Sequence, residues 1–353
     1  MPSMQWFKNR GFEVHVACNG TQPIPVADAV HQVPFERNPF SFKNITAYHQ
    51  LKALLEKEHF TLVHCHTPAP AFISRLAGRK LRKTSGLKML YTAHGFHFYK
   101  GASLAYWALF YPAEWIAAFF TDGLITINTE DFDFAVKRLP VPRVFRISGM
   151  GVDDKKFMPI SHDEKENVRK ELGISGKKWV VLYVGEFIHR KNQEFIIRAF
   201  HKLKGKIPEI VVLFAGRGEL LEKMKDLAAS LNIREDMHFL GFRTDINRVV
   251  NAADLGLSAS RQEGLGLNLI EEMMCGLPVV ATEDRGHREI VEQGKNGYLF
   301  RQFDADDFVE KVCRIYADEQ LYRFMSANAI ETGKKFTLAK SMEELGLIYE
   351  EFI

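Results

Sequence analysis

Cysteine is scarce: four residues in 353, at positions 18, 65, 275 and 313, all in apolar surroundings and none at the spacing of a zinc site or a disulfide framework. That argues against a disulfide-stapled secreted scaffold and points to a reducing cytoplasm. An excess of charge is missing too. The formal net charge of +3 is too weak to suggest a nucleic-acid partner. The N-terminus has no short apolar run behind a basic start, so no secretory signal is expected. Only residues 101–120 are apolar over a length that would cross a bilayer. Pro112 interrupts that run, Glu114 charges it, and its aromatics are spread through the middle instead of banded at the ends. It predicts a buried helix, or a segment lying in a membrane interface; the cations Arg75, Arg79, Lys80, Arg82 and Lys83 upstream support the second reading.

What is present is alternation. The length exceeds what one hydrophobic core usually serves, so two domains are expected. Strands are predicted at 12–18, 60–65, 87–92, 123–127 and 143–147, with helices near 45–58 and 71–82. Apolar strands separated by helices imply a parallel sheet covered on both faces. The chain starts with a helix-like segment ending at Gly11, where a doubly wound domain normally opens with a strand and a ligand-binding turn. The first domain is therefore expected to lack its first strand. The glycines and proline between Ser148 and Pro159 mark a hinge, with the boundary at 151/152. Further strands follow at 179–185 and 210–215, and the tail from Asp304 reads as helices alone.

Ligands of parallel sheets sit beyond the carboxyl ends of the strands, which selects His64, His66 and Thr67 after one strand and His94, Gly95 and His97 after another. His64 and His66 share a strand face, but no third metal ligand is suitably spaced. The pairs Asp131/Asp133 and Asp304/Asp306 match an Asp-x-Asp metal motif, yet each stands where a helix begins and capping explains it. No metal is expected. Gly216-Arg217-Gly218 is a weak dinucleotide fingerprint, because the third glycine is absent. Gly185 ends a strand that turns through Arg190 and Lys191, two cations suited to clamping a diphosphate as negative charge develops on it.

The most informative stretch is Ser260 to Ala281. Glu263 and Glu271 bracket a loop with glycines at 264 and 266 that opens a helix, and the free N–H groups there favour an anion. Glu271 would repel a phosphate and instead suits the hydroxyls of a ribose. A nucleotide satisfies both ends.

This stretch resembles the E-x7-E signature of the retaining glycosyltransferases of family 4, including the tail Gly276-Leu277-Pro278-Val279-Val280-Ala281. The resemblance covers nearly the whole chain and is most specific from 179 to 300. It implies an α/β GT-B fold: two doubly wound Rossmann-like domains facing across a cleft. Residues 1–151 would bind acceptor, completed by a C-terminal helix at about 337–353, and 152–336 would bind the nucleotide-sugar donor. By resemblance, His94 lies beside donor sugar and acceptor, and Lys191 matches the family lysine. Glu186 stands where an arginine is expected, with Arg190 as second cation. Glu263 would hold donor-sugar hydroxyls and Glu271 the ribose. The N–H groups near Leu267 and Asn268 would receive the departing diphosphate, and the segment ending at Phe242 and Arg243 would read the base. His94, Glu263 and Lys191 are thus the catalytic candidates. Gly185, Arg190, Lys191, Phe242, Glu263, Gly264, Gly266, Leu267, Asn268 and Glu271 form the donor set. Neither metal nor cofactor is implied, since the nucleotide-sugar, expected to be a UDP-sugar, is a substrate. The implied reaction is sugar transfer to a glycan or lipid-linked acceptor in surface-polysaccharide synthesis, with peripheral contact at the inner membrane face and domain closure to exclude water. A nucleotide-sugar 2-epimerase of the same fold, or a truncated and weakly active nucleotide-sugar-binding protein, are the alternatives.

Overall fold

A computed structural model describes residues 2–174 and 176–353. The chain divides into two compact units, one running to Met150 and including Leu338–Ile353, the other Gly151–Thr337. In chain order the first contains α1 (Pro2–Lys8), β1 (His15–Cys18), β2 (Ala29–Gln32), α2 (Lys43–Glu58), β3 (Leu62–His66), α3 (Pro68–Gly78), α4 (Leu81–Thr84), β4 (Lys88–Ala93), α5 (Leu104–Ala118), β5 (Gly123–Thr126), α6 (Thr129–Arg138) and β6 (Arg143–Arg146).

The expected single sheet of this unit is two sheets. Strands β3-β4-β5-β6 run parallel in that order, while β1 and β2 form a separate parallel pair. The two sheets stay separate: β1 and β3 exchange no backbone hydrogen bond among the described residues. Side chains join the pieces instead. Ala17 of β1 and Val63 of β3 share an apolar cluster with Leu51 and Leu55 of α2 and Ile73 and Ala77 of α3.

Residues 101–120 depart from the first sequence expectation, a buried helix. Helix α5 runs through Pro112 unbroken, and it is not a buried helix. Glu114 is its anchor: its carboxylate accepts two bonds from the Arg75 guanidinium, at 2.5 and 3.1 Å, and both side chains are buried. Ala117 and Ala118 pack inward beside it, whereas Leu104, Tyr106, Trp115, Ile116 and Phe119 are 86, 50, 42, 46 and 51% exposed. The upstream basic cluster is partly consumed as well, because Arg75 serves Glu114 and Arg82 grips Asp122 at 2.8 and 2.6 Å. Lys80 and Lys83 stay exposed. Among the described residues no helix is long and apolar enough to cross a membrane.

The second unit contains α7 (His162–Glu171), β7 (Trp179–Val184), α8 (Gln193–Lys204), β8 (Ile210–Ala215), α9 (Leu221–Ser230), β9 (Met237–Gly241), α10 (Ile246–Ala252), β10 (Leu255–Ser258), α11 (Leu267–Met274), β11 (Val279–Thr282), β12 (Gly297–Phe300), α12 (Ala305–Ala317) and α13 (Glu319–Gly333). Its parallel sheet has the order β12-β11-β10-β7-β8-β9. The sequences WVVLYV and IVVLFA of β7 and β8 are apolar throughout because both faces are covered. Phe200, Phe214, Phe300 and Phe308 fill the core. Succession along the chain runs outward from β7 through β8 and β9, then restarts at β10 on the other side. The switch point therefore lies between β7 and β10, where such sheets bind ligands. The last helix, α14 (Leu338–Glu350), belongs to the first unit: its Ser341 hydroxyl donates to the Gly149 carbonyl at 2.6 Å, and Glu344 accepts from the Ser148 amide at 2.6 Å.

Candidate functional site

The loops leaving β7 and β10 meet at this switch point. The Arg261 amide donates to the Arg190 carbonyl at 2.8 Å, and the Tyr183 hydroxyl donates to the Lys191 carbonyl. Gly185 receives the stem of Lys191, whose Cδ would lie 3.4 Å from a Cβ at that position. Gly216 and Gly218 are packing glycines: a Cβ on them would fall 2.0 Å from the Gly185 carbonyl oxygen and 2.5 Å from that of Phe187. The weak fingerprint read there in the sequence is thus accounted for by backbone contact.

Glu263 sits at the centre of the loop, 7% exposed. Its Oε1 accepts from Lys191 Nζ at 2.6 Å and its Oε2 from Arg190 Nη1 at 2.9 Å. Burial pushes the carboxyl upward, but the adjacent Lys191 and Arg190, and then His287, outweigh it and hold the pKa at about 2. The sequence assigned Glu263 to sugar hydroxyls and the two cations to a diphosphate. The Glu263 carboxylate itself engages both cations. Asp284 supports the loop: one oxygen accepts from the Glu263 amide and the other from the His287 amide, the latter at 2.8 Å. A Cβ on Gly286 would lie 2.8 Å from the Leu265 amide nitrogen, so only glycine lets this second loop pack so closely. Asp284, Gly286 and His287 were missed by sequence reasoning, because they follow β11 and carry no motif of their own.

Helix α11 begins after Gly266, whose φ of 95° suits glycine. Its first N–H groups, those of Leu267 and Asn268, have no partner within the helix and give that end its positive character. Gly264 lies in the loop leading to them. Glu271, one turn in, is half-buried, and burial raises its pKa to about 7. Near neutral pH it can therefore accept or donate a hydrogen bond to a hydroxyl. Glu272 beside it is fully buried with neither oxygen hydrogen-bonded among the described residues. Burial lifts its pKa well above the usual range, so it is held neutral. Gly256 makes room for it, since a Cβ there would lie 2.0 Å from Glu272 Oε2. Past β9, Phe242 is 65% exposed, with the Arg217 guanidinium 5.0 Å from its ring centre.

His94 belongs to the first unit and follows β4. It is exposed, and its Nε2 lies 3.2 Å from His66 Nδ1 at the end of β3. The turn after it is held by the buried Asp131, which accepts from the Phe96 amide at 3.1 Å and from Asn128 Nδ2 at 2.9 Å. Asp131 stands in the first turn of α6, and Asp304 caps α12 by accepting from the Asp306 and Asp307 amides. Among the described residues no group of three His, Cys, Asp or Glu side chains is placed to hold a metal ion. The second unit thus gathers Gly185, Arg190, Lys191, Glu263, Gly264, Gly266, Leu267, Asn268 and Glu271 around one loop system, with Phe242 following β9, two strands from β7 in the sheet.

Comparison with known proteins gives this arrangement its context. Residues 164–332 match the family described as glycosyl transferases group 1, and residues 4–156 match glycosyltransferase family 4. The chain is 38% identical over 356 residues to a Bacillus subtilis protein named as glycosyltransferase EpsD, covering 100% of this chain and 93% of that one. It is 27% identical over 369 residues to the UDP-Gal:alpha-D-GlcNAc-diphosphoundecaprenol alpha-1,3-galactosyltransferase of Escherichia coli, covering 99% and 93%. Among solved structures, Anabaena HepE in complex with UDP and glucose superposes with a TM-score of 0.82 at 17% identity, covering 99% and 95%. WaaG, a glycosyltransferase involved in lipopolysaccharide biosynthesis, gives 0.78 at 21%, covering 99% and 94%. With the two parallel-sheet units and the Glu263–Glu271 loop, these matches make the chain a glycosyltransferase of the GT-B fold, and it belongs to glycosyltransferase family 4.

Proposed function

We propose that the protein transfers a sugar from a UDP-sugar to a lipid-linked or glycan acceptor with retention of anomeric configuration, in the assembly of a cell-surface polysaccharide. The observation that carries this reading is the Glu263 carboxylate held by Lys191 and Arg190 beside the open end of α11. Two cations meet there on one carboxylate, and the loop that carries it leads into the open N-terminal end of α11. A diphosphate of greater charge than a carboxylate competes for the same donors, freeing Glu263 for the donor-sugar hydroxyls. Leaving-group charge then develops against groups already in position, which is where electrostatic stabilisation is most effective. Glu271 takes the ribose, Phe242 lies by the base, and His94 serves the sugar or acceptor. No metal or cofactor is assigned a role.

The choice of UDP and of a lipid-linked acceptor draws on the relatives. The E. coli enzyme is named for UDP-Gal and a diphosphoundecaprenol-linked sugar, and HepE was solved with UDP. The exposed apolar face of α5 suits peripheral contact with a membrane that carries such an acceptor. The test is incubation with UDP-glucose, UDP-galactose and UDP-N-acetylglucosamine, each with and without a sugar diphospholipid, and proton NMR of the product. Acceptor-dependent formation of an α-linked product is expected. An epimerised nucleotide-sugar formed equally well without acceptor would make the protein an epimerase, and failure of all three donors together with UDP to bind would remove the reading.

A further inference from the structure

Strands β3 and β4 are neighbours in register, with His66 opposite Thr92, and the chain beyond each brings two imidazoles together. His66 Nδ1 and His94 Nε2 are 3.2 Å apart, with ring centres 5.3 Å apart and planes 25° from parallel. A hydrogen bond between two imidazole nitrogens needs one donor and one acceptor, so at least one of the two rings must be neutral at its contacting nitrogen. Burial lowers the pKa of the half-buried His66 to about 4, and partial desolvation lowers that of the more exposed His94, so the pair shares one N–H between its inner nitrogens. His66 Nε2 and His94 Nδ1 bond nothing else among the described residues. Whichever tautomer holds, one of these outer nitrogens is an N–H and the other a lone pair. His64 backs the pair from within: its nitrogens are taken by the Tyr349 and Thr92 hydroxyls at 2.8 and 2.7 Å, and its ring centre lies 4.3 Å from that of His66.

The turn that follows narrows the ligand class. Thr67 holds φ at 64°, an uncommon and strained value for a β-branched residue. It leads into α3, whose first turn carries Pro68 and Pro70. Prolines have no N–H, so this helix end offers fewer donors to attract a phosphate than an ordinary one. What remains is a neutral donor–acceptor couple, which complements the hydroxyls of an uncharged sugar.

We propose that His66 is a positioning residue that couples the tautomer of His94 to its own through the shared N–H, so that the outer nitrogen of His94 meets a sugar hydroxyl in a state set by its partner ring. This rests on the reading that His94 serves the sugar or acceptor. The test uses the full chain labelled with 15N-histidine and compares wild type with His66→Asn, His66→Gln and His66→Phe by long-range 1H–15N correlation. An asparagine amide can take the place of Nδ1, whereas a glutamine amide reaches only to that of Nε2. The wild-type tautomer ratio of His94 is expected to persist in His66→Asn and to shift to that of an unpaired imidazole in His66→Gln and His66→Phe. With UDP-galactose and an N-acetylglucosaminyl diphospholipid, kcat/KM should fall roughly tenfold in the Gln and Phe variants, the worth of about one hydrogen bond to an oriented group, and recover in Asn. An unchanged His94 tautomer in His66→Phe and His66→Gln would overturn the proposal even if sugar transfer is active. Tautomer coupling in a protein that turns over no nucleotide-sugar would uphold the pair and instead sink the proposed reaction.

Discussion

At the scale of single residues, the Glu263 triad decides most. Lys191→Ala removes the closer cation and leaves a buried carboxylate with only Arg190. Loss of one preorganised donor at a developing charge typically costs about 3 kcal/mol, on the order of a hundredfold in kcat. Steady-state rates against the best donor check this, and an unchanged kcat would take Lys191 out of the site. Glu272 makes a second prediction, in stability. Its native pKa lies above its unfolded value, so its contribution is fullest below the ordinary glutamate range and is lost as pH rises from there towards the native pKa. For one proton the slope is about 1.4 kcal/mol per pH unit. Urea unfolding of wild type and Glu272→Gln should therefore diverge in favour of the variant as pH rises from roughly 5, just above an unfolded carboxyl pKa; a constant difference would show Glu272 to be ionised when folded. The spacing of Glu263 and Glu271 was legible because both lie in one loop-and-helix stretch. Their separate fates, one at about 2 and the other at about 7, were not, since burial and the cations from another loop set them.

At the scale of elements, α5 shows where local reading stops. Its composition is nearly all apolar, and composition does not say which face a helix buries. Glu114 does, by entering the interior to meet Arg75. Breaking a buried pair by deleting one partner strands the other charge, so Glu114→Ala should cost about 3–5 kcal/mol by chemical denaturation, and Arg75→Met combined with Glu114→Leu should recover most of it. A single variant without measurable loss would show the pair to be solvated. The outer face makes a separate prediction. The protein should co-sediment with vesicles containing anionic lipid at low salt, and Trp115→Glu with Ile116→Glu should abolish this. Equal sedimentation of the double variant would assign the contact to another surface.

At the scale of the whole molecule, each unit carries its own core and the chain passes between them twice, after Met150 and after Thr337. A nucleotide held by the switch point of the second unit should protect that unit selectively. UDP at 100 times its Kd adds about 2.7 kcal/mol to whatever it binds. Hydrogen exchange should slow in residues 185–191 and 259–268 and in the strands beneath them, with little change in β3 to β6; uniform protection would place the nucleotide elsewhere. By itself the sequence determined the local matters: apolar runs long enough for buried strands, glycines and prolines that end them, and a helix opening on a glycine loop. Those follow from interactions within a few residues of each other. Tertiary structure alone decided that the first sheet breaks in two, that Glu263 meets Arg190 and Lys191 more than seventy positions away (|i−j| of 73 and 72), and that His66 meets His94. The reason is strand order: which strand ends lie side by side is set by packing of the whole sheet, and no periodicity in the chain records it.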